Sequence, residues 1–280
     1  SRKEPDEDEL RRLFEELEFR TLIDRVLKTN KTTASPTPQV SQPDLFGFFA
    51  DNGTDDSKNS SLKRLNDIDV DYQLVDTEAK EDELLQLILT HDNFALDTET
   101  TGTDPISAEL VGMSFSFAEN QAFYVPVPSN RDEAQKLVDK FKPAFENESS
   151  LKIGQNIKYD ILVLANYGVE VKGPMFDTMV AHYVLQPELH HGMDYLAEVY
   201  LKYDTIKIEE LIGAKGKNQK NMRDLSPEEV YKYACEDADV TFKLKNILEK
   251  ELSTSGVDKL FYEIEMPLVP VLAYMERNGV

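Results

Sequence analysis

FALDTETTG, residues 94–102, decides how the rest of the chain is read. Phe94, Ala95 and Leu96 read as the start of a buried strand, and Asp97 and Glu99 then place two carboxylates in it, one residue apart. Side chains alternate across a strand with period two, so both acids share one face. Two like charges in a half-buried place repel and lose solvation unless a cation or a shared proton compensates them. That compensation has to come from elsewhere in the sequence.

The 280 residues are 40% hydrophobic, enough for one sizeable core with flanking material. No apolar run reaches membrane length, and the start, SRKEPDEDEL, lacks the apolar stretch of a signal peptide. Cys235 is the only cysteine, so no intrachain disulfide can form. A reducing cytosol is the expected compartment, and Cys235 reads as a small packing residue. A first residue that is Ser1 and an end inside a helical pattern suit a piece of a longer protein. Of the formal charge of −22, −17 falls on residues 72–280, so the acidity belongs to the folded part. Alone it opposes tight phosphate-backbone binding, which needs Lys and Arg to displace counterions. It suits a site that recruits divalent cations, over a background of solvated helix surface.

Around the quoted stretch the pattern is α/β. Residues 7–28 repeat apolar positions at helical spacing and predict one amphipathic helix. Residues 29–71, rich in Thr, Ser, Pro, Asp and Asn, read as a flexible linker with one apolar island, QPDLFGFF at 42–49. From Tyr72 come a short strand, YQLV, and a helix, EAKEDELLQLILTH. NFALDTET, LVGMSFSFA and QAFYVPV then form three strands in quick succession, the sign of an antiparallel meander. A helix at 131–146 leads to the strand LKIGQN, and helices follow at 157–167, about 176–186, 193–202, about 227–252 and 257–279. The expected fold is a mixed five-stranded sheet flanked by helices. There is no internal repeat and no Gly-rich phosphate loop.

Two further places put a carboxylate where a core would not want one. Asp160 lies one turn into the helix that leaves Gln155 and Asn156. Asp237 shares a helix face with Val230, Tyr233, Ala234, Thr241 and Leu244 by three- and four-residue spacing, so Tyr233 and Asp237 project together from an apolar stripe. Oxygen ligands with no His or Cys among them suit Mg2+ or Mn2+. Four carboxylates are enough for two ions roughly 3.5–4 Å apart, an arrangement that clamps the attacking and leaving oxygens of a phosphoryl displacement. Each acid taken singly has an ordinary alternative, as a surface acid, an ion-pair partner or a helix cap; taken together, three ordinary explanations would have to hold at once.

DTET, GQNIKYD and YACEDAD, in this order and spacing, resemble the three motifs of the DEDD (DnaQ-like) 3′–5′ exonucleases. Tyr233, four residues before Asp237, marks the tyrosine subtype; the histidine subtype would have His at 232, which is Lys232. IGQNIKYDILVLANYGVEVKGPMFDTMVAHYVLQP, MDYLAEVYL and GKNQ are similar to the proofreading domain of the bacterial DNA polymerase I family over about 72–255. LRRLFEELEFRTLIDRV resembles the tail that follows the family's 5′-nuclease domain, and residues 256–280 its entrance to the polymerase domain; no polymerase motif follows within the chain.

The resemblance implies a ribonuclease H-like fold, with Asp97, Glu99, Asp160 and Asp237 as ligands of two divalent cations and Asp97 bridging them. It implies that Tyr233 orients the attacking water and that Thr98, Thr103, Gln155 and Asn156 contact the last nucleotides. The implied substrate is DNA with a single-stranded or frayed 3′ end, cut by a monomer in the bacterial cytoplasm, at the nucleoid. Some relatives have lost the carboxylates and keep the domain as scaffold; all four are present here, as is the tyrosine. Thr103 departs from the family, which often has Leu there as a wedge beside the terminal base. Two alternatives stand beside this reading, a ribonuclease D-like RNA trimmer and an inactive DNA-binding scaffold. The loop GAKGKNQKNMR, 213–223, is a candidate contact to the single-strand backbone, with an ordinary solvated loop as its alternative. His190 and His191 read as surface residues of a turn. Gln42–Phe46, QPDLF, resembles the short peptides by which bacterial proteins bind the sliding clamp, with docking on this protein's own surface as the alternative.

Overall fold

The computed structural model describes residues 62–214, 216 and 218–280. The helix expected at 7–28 and the island at 42–49, with Gln42–Phe46, lie outside the described residues. So does most of the expected linker; its last part is docked. Lys63 pairs with Tyr203 in an isolated parallel bridge, and Arg64 forms an ion pair with Asp204.

Six strands form one mixed sheet: β1 (Asp71–Leu74), β2 (Asn93–Thr100), β3 (Leu110–Ala118), β4 (Gln121–Pro126), β5 (Leu151–Gly154) and β6 (Met175–Asp177). Their order is β1-β4-β3-β2-β5-β6. The β2–β3–β4 meander is antiparallel as expected, whereas β1 joins β4, and β5 joins β2 and β6, in parallel. The sixth strand corrects the expected count of five. β6 spans only three residues, too few to show an alternation, and it falls where the helical pattern predicts the start of a helix at about 176. That helix begins instead at Thr178, because the Asp177 carboxylate accepts the N–H groups of Met179 (2.9 Å) and Val180 (3.2 Å) as its N-cap.

The helices are α1 (Glu78–Leu89), α2 (Arg131–Phe145), α3 (Ile157–Ala165), α4 (Thr178–Leu185), α5 (Met193–Leu196), α6 (Ile208–Ile212), α7 (Pro227–Ser255), α8 (Asp258–Leu260) and α9 (Met266–Arg277). α5 continues into a wide turn at Ala197–Leu201, and a second wide turn, Phe261–Glu265, joins α8 to α9. The long α7 starts where SPEE predicts. Pro227 occupies its first turn, and the Ser226 N–H donates to Glu229 Oε2 at 2.8 Å.

The period-two alternation of β2 sorts its side chains between two cores. Phe94 and Leu96 enter the layer built with Leu84 and Ile88 of α1 and Val138, Phe141 and Phe145 of α2. Ala95 enters the opposite layer, with Ile153 of β5 and Val240, Leu244 and Leu248 of α7. Asp97 and Glu99 continue the Ala95 side and Thr98 the Leu96 side, so the acids leave the strand facing α7. Cys235 is fully buried and free, as a packing residue should be. No helix among the described residues is long and apolar enough to cross a membrane.

Candidate active site

At the exit of β2 the predicted acids meet. One carboxylate oxygen each from Asp97, Glu99 and Asp237 lies within 4.8 Å of the others. Among the described residues no other group of three or more His, Cys, Asp or Glu side chains converges in this way. Residues 140 positions apart are joined because α7 crosses the sheet face on which β2 presents its odd-numbered side chains. Asp160, on α3, borders this group. It is buried, and Thr98 Oγ1 donates to its Oδ1 at 2.6 Å. Thr98 thus ties Asp160 of α3 to β2.

The electrostatics of the cluster are those of acids without a counter-charge. Burial raises the Asp97 carboxyl to about 6. Glu99 is held well above the usual carboxylate range by burial, with the charges of Asp97 and Asp160 adding to it. Asp160 is raised by burial and then by Asp97, and Asp237 by burial and then by Asp97 and Glu99. Glu99 Oε1 is buried with no hydrogen-bond partner among the described residues. A buried acceptor with nothing to accept from is costly, and a cation would relieve it together with the repulsion. The donor set is oxygen only, which fits a hard divalent ion. The Tyr233 hydroxyl is raised strongly by burial and by the neighbouring Asp237, Glu99 and Asp97 charges. It keeps its proton at neutral pH.

Two residues near this cluster were not legible in the sequence as parts of it. The Tyr124 ring lies over Gly112, the residue paired with Glu99 across β2 and β3. A Cβ at position 112 would sit 2.2 Å from that ring, so only glycine admits it. Tyr159 Oη lies 2.5 Å from Thr100 Oγ1 and donates to the Gly102 carbonyl at 2.5 Å, closing α3 onto the end of β2. Tyr159 stands in the quoted GQNIKYD, but only its contact with a strand 59 residues earlier marks it.

The remaining expected residues divide by exposure. Thr103 is exposed on the loop after β2, and Asn156 is half-buried in the left-handed region (φ 60°) at the start of α3. The Asn156 N–H donates to Asp177, which also accepts from Ile157, so one carboxylate caps both α3 and α4. Thr98 is committed to Asp160, and Gln155 is committed at both ends of its amide: Nε2 donates to the His191 carbonyl at 2.8 Å, and Oε1 accepts from Thr178. These two side chains face inward, toward the protein's own groups. The basic loop 213–223 ends docked: Asn221 Nδ2 donates to the Thr101 carbonyl at 2.6 Å, and Arg223 donates to the Val127 and Leu110 carbonyls. Arg223 is therefore occupied within the fold and is not free for a phosphate. His190 is exposed as expected, but His191 is half-buried, with Nδ1 2.7 Å from Nδ1 of the buried His182. The surface reading of His191 is corrected by that pairing.

The family model of the DNA polymerase A 3′–5′ exonuclease matches residues 72–253. The chain belongs to this exonuclease family. DNA polymerase I of Borreliella burgdorferi is 37% identical over 227 residues, covering 79% of this chain and 24% of that protein. DNA polymerase I of Pseudomonas aeruginosa is 35% identical over 286 residues, covering 99% of this chain and 29% of that protein. The matches thus span only 24% and 29% of the length of these relatives. Two solved structures share the fold. One is Brucella melitensis NrnC with bound Mg2+ (TM-score 0.58, 21% identity, 76% of this chain and 95% of that one). The other is Escherichia coli RNase D (TM-score 0.57, 19% identity, 75% of this chain and 52% of that one). Residues 72–253 are a 3′–5′ exonuclease domain of the DNA polymerase I family, with a ribonuclease H-like α/β fold.

Proposed function

We propose that this domain is an active, metal-dependent 3′–5′ DNA exonuclease that hydrolyses the 3′-terminal phosphodiester and releases nucleoside 5′-monophosphates, as the proofreading module of a DNA polymerase I. The observation that carries the proposal is the convergence of Asp97, Glu99 and Asp237 around the unpartnered Glu99 Oε1. Asp97, Glu99, Asp160 and Asp237 would hold two divalent cations, Mg2+ or Mn2+. Such ions, when bound, activate a water and stabilise charge on the leaving oxygen.

The chain's own residues supply the rest. Tyr233 holds its proton and works as a hydrogen-bond donor that orients the attacking water, not as a base. Thr98 fixes the Asp160 carboxylate through their 2.6 Å hydrogen bond. The half-buried Asn156 and the exposed Thr103 would meet the last nucleotides. Gln155 would act behind them by holding the segment that carries His191. A mismatched end frays more readily than a paired one, so the unpairing cost itself supplies selectivity.

A nuclease assay on a 3′-mismatched primer, with and without Mg2+, tests the proposal, and Asp97→Ala or Asp237→Ala should abolish cleavage while the fold is kept. Retained cleavage in either variant would sink it. The fold shared with RNase D favours testing RNA beside DNA; the polymerase relatives favour DNA. An inactive scaffold would show no Mn2+ binding in calorimetry. In the full-length protein the module would act as a monomer in the bacterial cytoplasm, at the nucleoid, between 5′-nuclease and polymerase domains. Gln42–Phe46 is proposed as a sliding-clamp ligand, an idea to be dropped if neither a 38–52 peptide nor the protein binds the clamp.

A further inference from the structure

Asp237 stands on α7 between two other acids, Glu236 and Asp239, and both are completely buried. At about 100° per residue, Glu236 and Asp239 leave the helix in directions different from that of Asp237. Tyr203 Oη and the Ile206 N–H donate to Glu236 at 2.6 Å each. Tyr72 Oη (2.7 Å), the Asn120 N–H (2.8 Å) and Lys243 Nζ (2.6 Å) donate to Asp239. One carboxylate therefore fastens α7 to the segment 203–206, and the other fastens it to β1 and to the β3–β4 turn.

Taking a carboxylate out of water is costly even when it is hydrogen-bonded, and apolar side chains would hold a helix against a core as well. What two oriented, fully bonded carboxylates add is direction. Apolar packing leaves a helix some freedom to slide and rotate, whereas four short hydrogen bonds from three other segments, with Lys243 of α7 itself bracing Asp239, set its height and its rotation. Those are the two coordinates that decide where Asp237 and Tyr233 reach the oxygens of Asp97 and Glu99. Asn120, which donates to Asp239, sits in the left-handed region (φ 64°) at the turn joining the strands of the meander, so the same contact ties α7 to the sheet that carries Asp97.

We infer that Glu236 and Asp239 are positioning residues that set α7 so that Asp237 and Tyr233 complete the carboxylate cluster. This rests on the exonuclease reading of that cluster. Displacements of about 1 Å in a catalytic constellation cost up to about a hundredfold in rate, so a small shift of α7 is measurable. The test uses the full chain with four substitutions. Glu236→Gln and Asp239→Asn each place an amide NH2 against a donor, and Tyr203→Phe and Tyr72→Phe each delete one hydroxyl and keep the ring. Mn2+ affinity is read by calorimetry, kcat and KM on a single-stranded DNA 3′ end, and thermal unfolding in EDTA. Mn2+ binding should weaken about tenfold in the two carboxylate variants and two- to fourfold in the two Phe variants, and kcat should fall while KM for DNA stays within about twofold. Asp97→Ala runs beside them: if it still cleaves, the reading of the site fails, whatever the other variants do. If Asp97→Ala loses Mn2+ and cleavage, while folded Tyr72→Phe and Tyr203→Phe keep wild-type Mn2+ affinity and kcat at a lowered melting temperature, the two acids merely hold the fold and the inference is overturned.

Discussion

Removing one charge from the cluster should stabilise the metal-free protein and abolish its response to metal. Asp97→Asn is the clearest case, because the side chain keeps its size and loses only its ionisation. Burial raises the Asp97 carboxyl from an ordinary 3.8 to about 6. Below about pH 4 both the folded and the unfolded chain carry the proton, so the group contributes nothing against folding. Between about pH 4 and 6 the unfolded chain releases it first, so stability falls as pH rises through this window and stays low above it. The rise from 3.8 to about 6 corresponds to about 3 kcal/mol, a penalty that asparagine does not incur. For a domain of this size that is about 6–12 °C in melting temperature. The assay is thermal unfolding in EDTA at pH 4 and pH 7.5, repeated with Mn2+. The variant should match wild type at pH 4, exceed it by this margin at pH 7.5, and fail to gain from Mn2+, whereas wild type at a hundredfold excess over its Kd should gain about 2.7 kcal/mol. A metal-free variant less stable than wild type at pH 7.5, or one stabilised equally by Mn2+, would refute the reasoning.

Other outcomes follow from single contacts. Tyr233→Phe should lower kcat by about ten- to a hundredfold with Mn2+ affinity unchanged by calorimetry, as expected of a group that orients water and holds no ion. Thr98→Val, which removes the hydroxyl bonded to Asp160, should weaken Mn2+ binding several-fold while secondary structure by circular dichroism stays native. Gly112→Ala drives a Cβ to 2.2 Å from the Tyr124 ring and should cost about 1–3 kcal/mol in urea unfolding. Burial, with His191 adding to it, lowers His182 to about 4, so the unfolded chain takes up this proton first on acidification and this group's contribution to stability drops as pH falls from about 6.5 to 4, opposite in sign to that of Asp97. His182→Phe should flatten that limb of the stability profile.

Local pattern carried far in this chain. The meander, the start of α7 and the shared face of Tyr233 and Asp237 depend on periodicities of two and 3.6, which are written in consecutive residues. Asp97 and Glu99 were visible because charge interrupts an apolar strand. What stayed hidden depends on partners distant in sequence. Glu236 and Asp239 are as plain in CEDAD as Asp237, yet nothing local distinguishes the acid at the site from the two that Tyr203 and Tyr72 hold. Arg223 looked available for phosphate because its partners are backbone carbonyls of Val127 and Leu110, which no side-chain pattern advertises. β6 was missed for a different reason: its three residues pair with a strand already formed and need no propensity of their own.

The carboxylate of Asp177 has one more consequence. It serves the first turns of α3 and α4 together, and α3 carries Asp160. The molecule has put two helix starts on a single anchor, with no redundancy between them. A neutral, non-accepting side chain at this position would release both at once, so damage there would reach Asp160 although Asp177 stands outside the carboxylate cluster. Tolerance to mutation across this domain should therefore be uneven, with a brittle point buried behind the site.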